Sequence, residues 1–133
     1  MPTVPSTEFG EHIVVRRFVT LGKLIRDRIP KIAEESDGTK LFVRRAVNRN
    51  EFQLALADKL VEEAAEAHAE AGRVTGEWST QKLECEIADL EAVIEVMVAA
   101  FGLSRSRINS VRDERAEKRG RFALRLIWEP QEE

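Results

Sequence analysis

Glu63 stands where an apolar residue would be expected. On a helix opening near Asn50, a step of about 100° per residue gathers Phe52, Leu56, Leu60 and Ala67 on one apolar face, and Glu63 projects from its middle. Glu66 and Lys59 lie at the margin of that face, Glu62 lies further round, and Glu70 reads as solvated. The next apolar helix repeats the anomaly. Leu83, Ile87, Leu90, Val93, Ile94, Met97 and Phe101 define its inner face, yet Glu86 falls between Val93 and Met97 on the wheel, and Asp89 borders Val96 and Ala100. Glu84, Glu91 and Glu95 share the opposite stripe, the pattern of a solvated helix surface. Ionised carboxylates facing a core are costly unless paired, so acids on two neighbouring helices call for a common cation. Mg²⁺ suits this role: it takes oxygen ligands, neutralises clustered carboxylates, and works where phosphates complete its shell. Mn²⁺ could substitute for it. The pattern alone leaves a second reading open, in which the same acids pair with Lys59, Lys82 or an arginine.

The elements that must position these acids follow from punctuation along the chain. A short helix is expected around Lys23 to Glu35, with Pro30 working against its continuity, then a turn at Ser36-Asp37-Gly38-Thr39 and a strand over 40–47. Asn50, with Gln53 three residues on, reads as the cap of a long helix reaching about Ala71 before Gly72. Ser79 or Thr80 caps the next, which runs to Phe101 and stops at Gly102. Ser104 or Ser106 opens a last helix to about Arg119, closed by Gly120, and 122–128 alternates as a strand would. The expected fold is all-α, a helical bundle of about four helices with a minor β element near 40–47 and 122–128. Residues 1–20 read as a mobile N-terminal segment, 21–128 as a single domain, and 129–133 as a polar tail. The short connection from Gly72 to Thr80 makes the two acid-bearing helices antiparallel neighbours, which converges their carboxylates.

Composition narrows the function classes. The 133 residues suit one domain, and 43% hydrophobic with 34% charged residues argues against both disorder and a membrane protein. The 24 acidic and 21 basic side chains give a net charge of −3, without the positive bias of a nucleic-acid binder. Cys85 is the one cysteine, so neither an internal disulfide nor a structural zinc holds the fold, and a reducing, cytoplasmic setting is expected. No secretory leader or membrane span is expected either. His68 lies off the acidic face and His12 falls before residue 23, in the N-terminal segment, so histidine catalysis or ligation is not expected, and no Gly-rich phosphate loop of the Walker type is present. Trp78 and Trp128 read as packing residues ahead of base-stacking ones.

Glu62-Glu63-x-x-Glu66, some twenty residues before Glu86-x-x-Asp89, resembles the EExxE and ExxD motifs of the all-α, MazG-like nucleoside triphosphate pyrophosphohydrolases. Two further segments are similar to the single-domain, phosphoribosyl-ATP pyrophosphohydrolase-like branch of that superfamily: Lys23-Leu24-Ile25-Arg26-Asp27-Arg28-Ile29-Pro30 and Lys118-Arg119-Gly120-Arg121-Phe122. The resemblance spans Lys23 to Trp128. Arg28 stands where that pattern usually has Lys, and Arg121 where a second Gly is usual. The resemblance implies that Glu63, Glu66, Glu86 and Asp89 hold Mg²⁺, with Glu62 as a further ligand or water-orienting carboxylate, so that Glu62 and Glu63 are the candidate catalytic residues. Lys23, Arg26, Lys118 and Arg119 are the matching basic positions and would clamp the phosphates. Their bland alternative is solvation at helix ends.

The function so implied is Mg²⁺-dependent hydrolysis of a nucleoside triphosphate, or a related nucleotide such as phosphoribosyl-ATP, between the α- and β-phosphates. The products are a monophosphate and pyrophosphate, and a role in clearing unwanted nucleotides fits. The rival is a non-catalytic helical partner or nucleic-acid-binding module using the basic positions of 23–28 and 105–125 as a surface. A homodimer is the preferred assembly, because a short chain with an Ala-rich helix can complete its core or pocket across a two-fold axis; the alternative is that the four expected helices close a bundle within one chain.

Overall fold

The computed structural model describes residues 22–74 and 80–131. The expected mobile segment 1–20, with His12, and the loop residues Trp78 and Ser79 lie outside the described residues. The protein is all-α, with four helices among the described residues: α1 (Ile29–Asp37), α2 (Arg49–Val74), α3 (Gln81–Ala100) and α4 (Arg105–Arg119). The chain forms two compact units, one ending at Phe101 and one beginning at Gly102.

In the first unit, α2 and α3 pack against each other. Leu56 and Ala67 are its buried apolar residues among those described, so the hairpin seam is narrow. The ends of the pair are fastened: the Ala100 carbonyl accepts from Gln53 Nε2 at 3.0 Å and Arg49 Nη2 at 3.3 Å, which satisfies a carbonyl that the end of α3 leaves without an intrahelical donor.

Two helix starts differ from the sequence reading. The segment from Lys23 to Arg28 is not helical, because Pro30 has no N–H and its ring would clash with the Arg26 carbonyl one turn back. Pro30 instead occupies the first turn of α1, and the Ile29 N–H turns onto the Arg26 carbonyl at 3.1 Å. The long helix is capped by Asn48 rather than Asn50. Asn48 Oδ1 accepts from the Glu51 N–H at 2.8 Å, while Glu51 Oε1 accepts from the Val47 N–H at 3.1 Å, a reciprocal arrangement that Asn50 and Gln53 do not match. The turn after α1 lies where expected, with Gly38 at φ 78° and its N–H on the Glu34 carbonyl at 2.9 Å.

The two expected strands are absent among the described residues. Over 40–47 the chain has no regular structure; Leu41, Phe42 and Val43 form an unbroken run rather than an alternation, and Arg44 folds onto Glu51 at 2.6 Å. Over 122–128 the alternation is real, but a turn interrupts the extended chain: the Arg125 N–H meets the Phe122 carbonyl at 3.1 Å, and Arg125 has φ 55°. Among the described residues neither segment has the ladder partner that a strand requires.

The second unit is α4 with the chain that follows it. Ser104 Oγ caps the helix by accepting from the Arg107 N–H at 3.1 Å, and the Gly120 N–H closes it on the Ala116 carbonyl at 2.9 Å. Trp128 is 96% exposed, unlike the expected packing residue.

Candidate metal centre

The buried residues of α2 are Leu56, Glu63 and Ala67. Their spacing of seven and four positions is that of a helix seam pressed along a neighbour, so the backbone forces Glu63 into the position of a core residue, where it is 7% exposed. Opposite it, Glu86 and Asp89 are half-buried and one turn apart on α3. One carboxylate oxygen from each of Glu63, Glu86 and Asp89 lies within 4.8 Å of the other two. Glu63 Oε2 and Glu86 Oε2 are buried without a hydrogen-bond partner, a cost of about 1–3 kcal/mol per group.

The electrostatics follow from this crowding. Burial pushes the Glu63 carboxyl above its ordinary range, the charge of Glu66 pushes it further, and Lys59 only partly opposes both. Glu66 is exposed over much of its surface and falls outside the three-oxygen group. Its carboxyl is nonetheless raised, first by loss of solvent and then by hydrogen bonding to Glu86 and the charges of Glu86 and Glu62.

Cations ring the acids. Lys59 Nζ sits 3.1 Å from Glu62 Oε2 and 3.4 Å from Glu63 Oε1, Lys23 Nζ 3.1 Å from Glu62 Oε1, and Arg26 Nη2 2.8 Å from Asp89 Oδ1. Lys23 and Arg26 reach the helix pair because Pro30 keeps 23–28 out of a helix, while half-buried Leu24 and Ile25 anchor the segment. Among the described residues, five carboxyl groups (Glu62, Glu63, Glu66, Glu86 and Asp89) meet three cations, and Glu63 Oε2 and Glu86 Oε2 are buried without a hydrogen-bond partner. A hard divalent cation fits this donor set of carboxylate oxygens, and Glu63, Glu86 and Asp89 are the residues that would hold it.

Lys118 and Arg119 belong to the second unit, in the last turn of α4, where Lys118 Nζ pairs with Glu114 at 3.3 Å. Glu84, Glu91 and Glu95 are exposed. Lys59 is the functional candidate that sequence reasoning left at the margin. Its signal was the spacing of three and four residues to Glu62 and Glu63, which lets one ammonium bridge both. A cavity of about 450 Å³ also adjoins the acids, lined by Leu24, Ile25, Arg26, Asp27, Phe52, Leu56, Lys59, Glu63, Ala92, Val93 and Val96. Nothing in the sequence marked this cavity beyond apolar residue types.

Compared with known proteins, the chain matches no family, no curated protein and no solved structure. No helix among the described residues is long and apolar enough to cross a membrane.

Proposed function

We propose that this protein is a Mg²⁺-dependent nucleoside triphosphate pyrophosphohydrolase of the MazG-like, all-α kind, cleaving between the α- and β-phosphates to release a monophosphate and pyrophosphate. The observation that carries the reading is the juxtaposition of Glu63, Glu86 and Asp89, with two buried oxygens lacking any partner. A non-catalytic helical or nucleic-acid-binding module has no use for buried, unsatisfied carboxylates. Mg²⁺, when bound, would supply charge neutralisation and an acidified water, and Mn²⁺ could replace it.

The residues of the first unit have distinct tasks in this reading. Glu63, Glu86 and Asp89 hold the ion, and Glu66 supports Glu86. Glu62, held between Lys23 and Lys59, orients the attacking water and accepts its proton. Arg26 and Lys23, both exposed enough to turn outward, exchange carboxylate partners for phosphate oxygens when the nucleotide arrives. Homodimer formation belongs to the same proposal. Leu54 and Val61 make a second apolar stripe on α2, 53% and 45% exposed, which a partner copy would cover. A cytoplasmic location follows from the substrate class. Pyrophosphate release from a panel of nucleoside triphosphates in Mg²⁺ tests the reading: activity should be lost on chelation and in Glu86→Gln, and full activity in that variant would refute it.

A further inference from the structure

The segment before α1 is joined to the helix pair through the acids themselves. Residues 23–28 are neither helix nor strand, and Leu24 and Ile25 are the half-buried side chains among them. Two ionic anchors reach far along the chain: Lys23 Nζ donates to Glu62 Oε1 on α2 at 3.1 Å, and Arg26 Nη2 donates to Asp89 Oδ1 on α3 at 2.8 Å. Each anchor takes an oxygen from the acid group. Asp89 is one of the three residues whose carboxylate oxygens converge within 4.8 Å, and Glu62 gives its other oxygen to Lys59 at 3.1 Å. Arg26 is exposed and Asp89 half-buried, so water can solvate both when their pair opens. The helix pair does not rely on these anchors to stay closed, because Gln53 and Arg49 fasten α2 to the Ala100 carbonyl at the end of α3.

Resting on the ion site proposed above, we infer that residues 23–28 form a strap that competes with the divalent ion for the acids, with Arg26 as the tethered counter-cation of Asp89. Two cations drawn to one carboxylate repel each other, so Asp89 paired with Arg26 is held back from the ion, and Asp89 engaged as a ligand releases Arg26. The coupling is reciprocal: whatever affinity the docked strap takes from the ion, the ion takes from the strap. Its size follows from the fraction of chains with the strap undocked, since those bind the ion at full strength. An ion pair this open to solvent holds the strap only lightly, which keeps the loss of ion affinity to about two- to sixfold. The strap thereby sets the free-ion concentration at which the acids fill.

Calorimetric titration with Mg²⁺ alone, without nucleotide, tests this on three chains. Arg26→Gln removes the charge at an exposed position and leaves the joint at Ala100 intact, and should bind the ion about two- to sixfold more tightly than wild type. Arg28→Gln removes the same charge two residues on, at an exposed position without a carboxylate contact among the described residues, and should bind as wild type does. Backbone ¹⁵N relaxation should show residues 23–28 gaining fast motion as Mg²⁺ saturates the wild-type chain, and not in NaCl of equal ionic strength. Unchanged or weaker binding by Arg26→Gln would overturn the inference and leave the proposed function standing, weaker binding by making Arg26 a support for Asp89 as a ligand. Equal gains in Arg26→Gln and Arg28→Gln would overturn it by reducing the effect to overall charge. A strap that keeps its order in saturating Mg²⁺, or loosens equally in NaCl, would overturn it too, and binding of the ion by none of the three chains would overturn both the inference and the proposed function.

Discussion

Replacing Glu63 with Gln should raise the stability of the metal-free chain and abolish its response to Mg²⁺. In the metal-free state Glu63 is 7% exposed and its Oε2 has no partner, so the ionised group carries a desolvation cost that the neutral amide largely avoids. Against this stands the contact with Lys59 at 3.4 Å, but Lys59 keeps Glu62 at 3.1 Å and the amide oxygen can still accept from it. The loss is therefore at most about 1 kcal/mol, while relief of the buried oxygen is worth about 1–3 kcal/mol. A net gain of about 1–2 kcal/mol raises Tm by roughly 3–8 °C for a domain of this size. The sign reverses once the ion is present. At a hundredfold excess over Kd a bound ion stabilises the folded chain by about 2.7 kcal/mol, and loss of a ligand from the three-carboxylate group removes most of that term. Thermal melts at neutral pH, with and without Mg²⁺, should thus show the variant melting above wild type without the ion and below it with the ion. Equal Mg²⁺-induced shifts in the two proteins would refute the assignment of Glu63 as a ligand, and a large drop in metal-free stability would refute the claim that its charge is unsatisfied.

The Glu63 and Glu66 carboxyls are held above their ordinary range by loss of solvent and neighbouring acids, so each binds a proton more tightly in the folded chain than in the unfolded one. Their contribution to metal-free stability should be fully present below about pH 4.5 and lost as pH rises through their raised folded values, and Mg²⁺ should flatten that decline; urea titrations across pH check this. Arg26→Ala removes the cation at 2.8 Å from Asp89, so Mg²⁺ affinity without nucleotide should not fall, while turnover or KM for the nucleotide worsens in steady-state kinetics. Glu91→Gln, on the exposed face of α3, should change melting free energy by less than about 0.5 kcal/mol and leave the Mg²⁺ response intact. Asn48→Ala should cost about 1 kcal/mol in thermal unfolding followed by circular dichroism, since it deprives the Glu51 N–H of its acceptor.

The seam of α2 was legible in the sequence because a helix converts spacing into direction. Leu56, Glu63 and Ala67 share a face whatever lies opposite, and the half-burial of Glu86 and Asp89 follows from the same periodicity on α3. What the sequence did not carry depends on partners. The apolar residues of 40–47 and 122–128 have strand-forming types, but a strand exists only with a ladder, and residue type does not say whether one is available. Pro30 marked a break without saying on which side the helix would survive. Its effect on the Arg26 carbonyl puts the helix after it and leaves Lys23 and Arg26 free to reach the acids. Lys59 was readable as a neighbour of Glu62 and Glu63 by spacing, yet its place on the cavity wall depends on α3 and the 24–27 segment together.

The most direct test of the proposed activity is phosphorus NMR of the products formed from a nucleoside triphosphate in Mg²⁺. Cleavage between the α- and β-phosphates yields equal amounts of nucleoside monophosphate and pyrophosphate, with neither formed when the ion is chelated or in Glu63→Gln. Release of inorganic phosphate with a nucleoside diphosphate, or an unchanged triphosphate spectrum across a panel of bases, would contradict it.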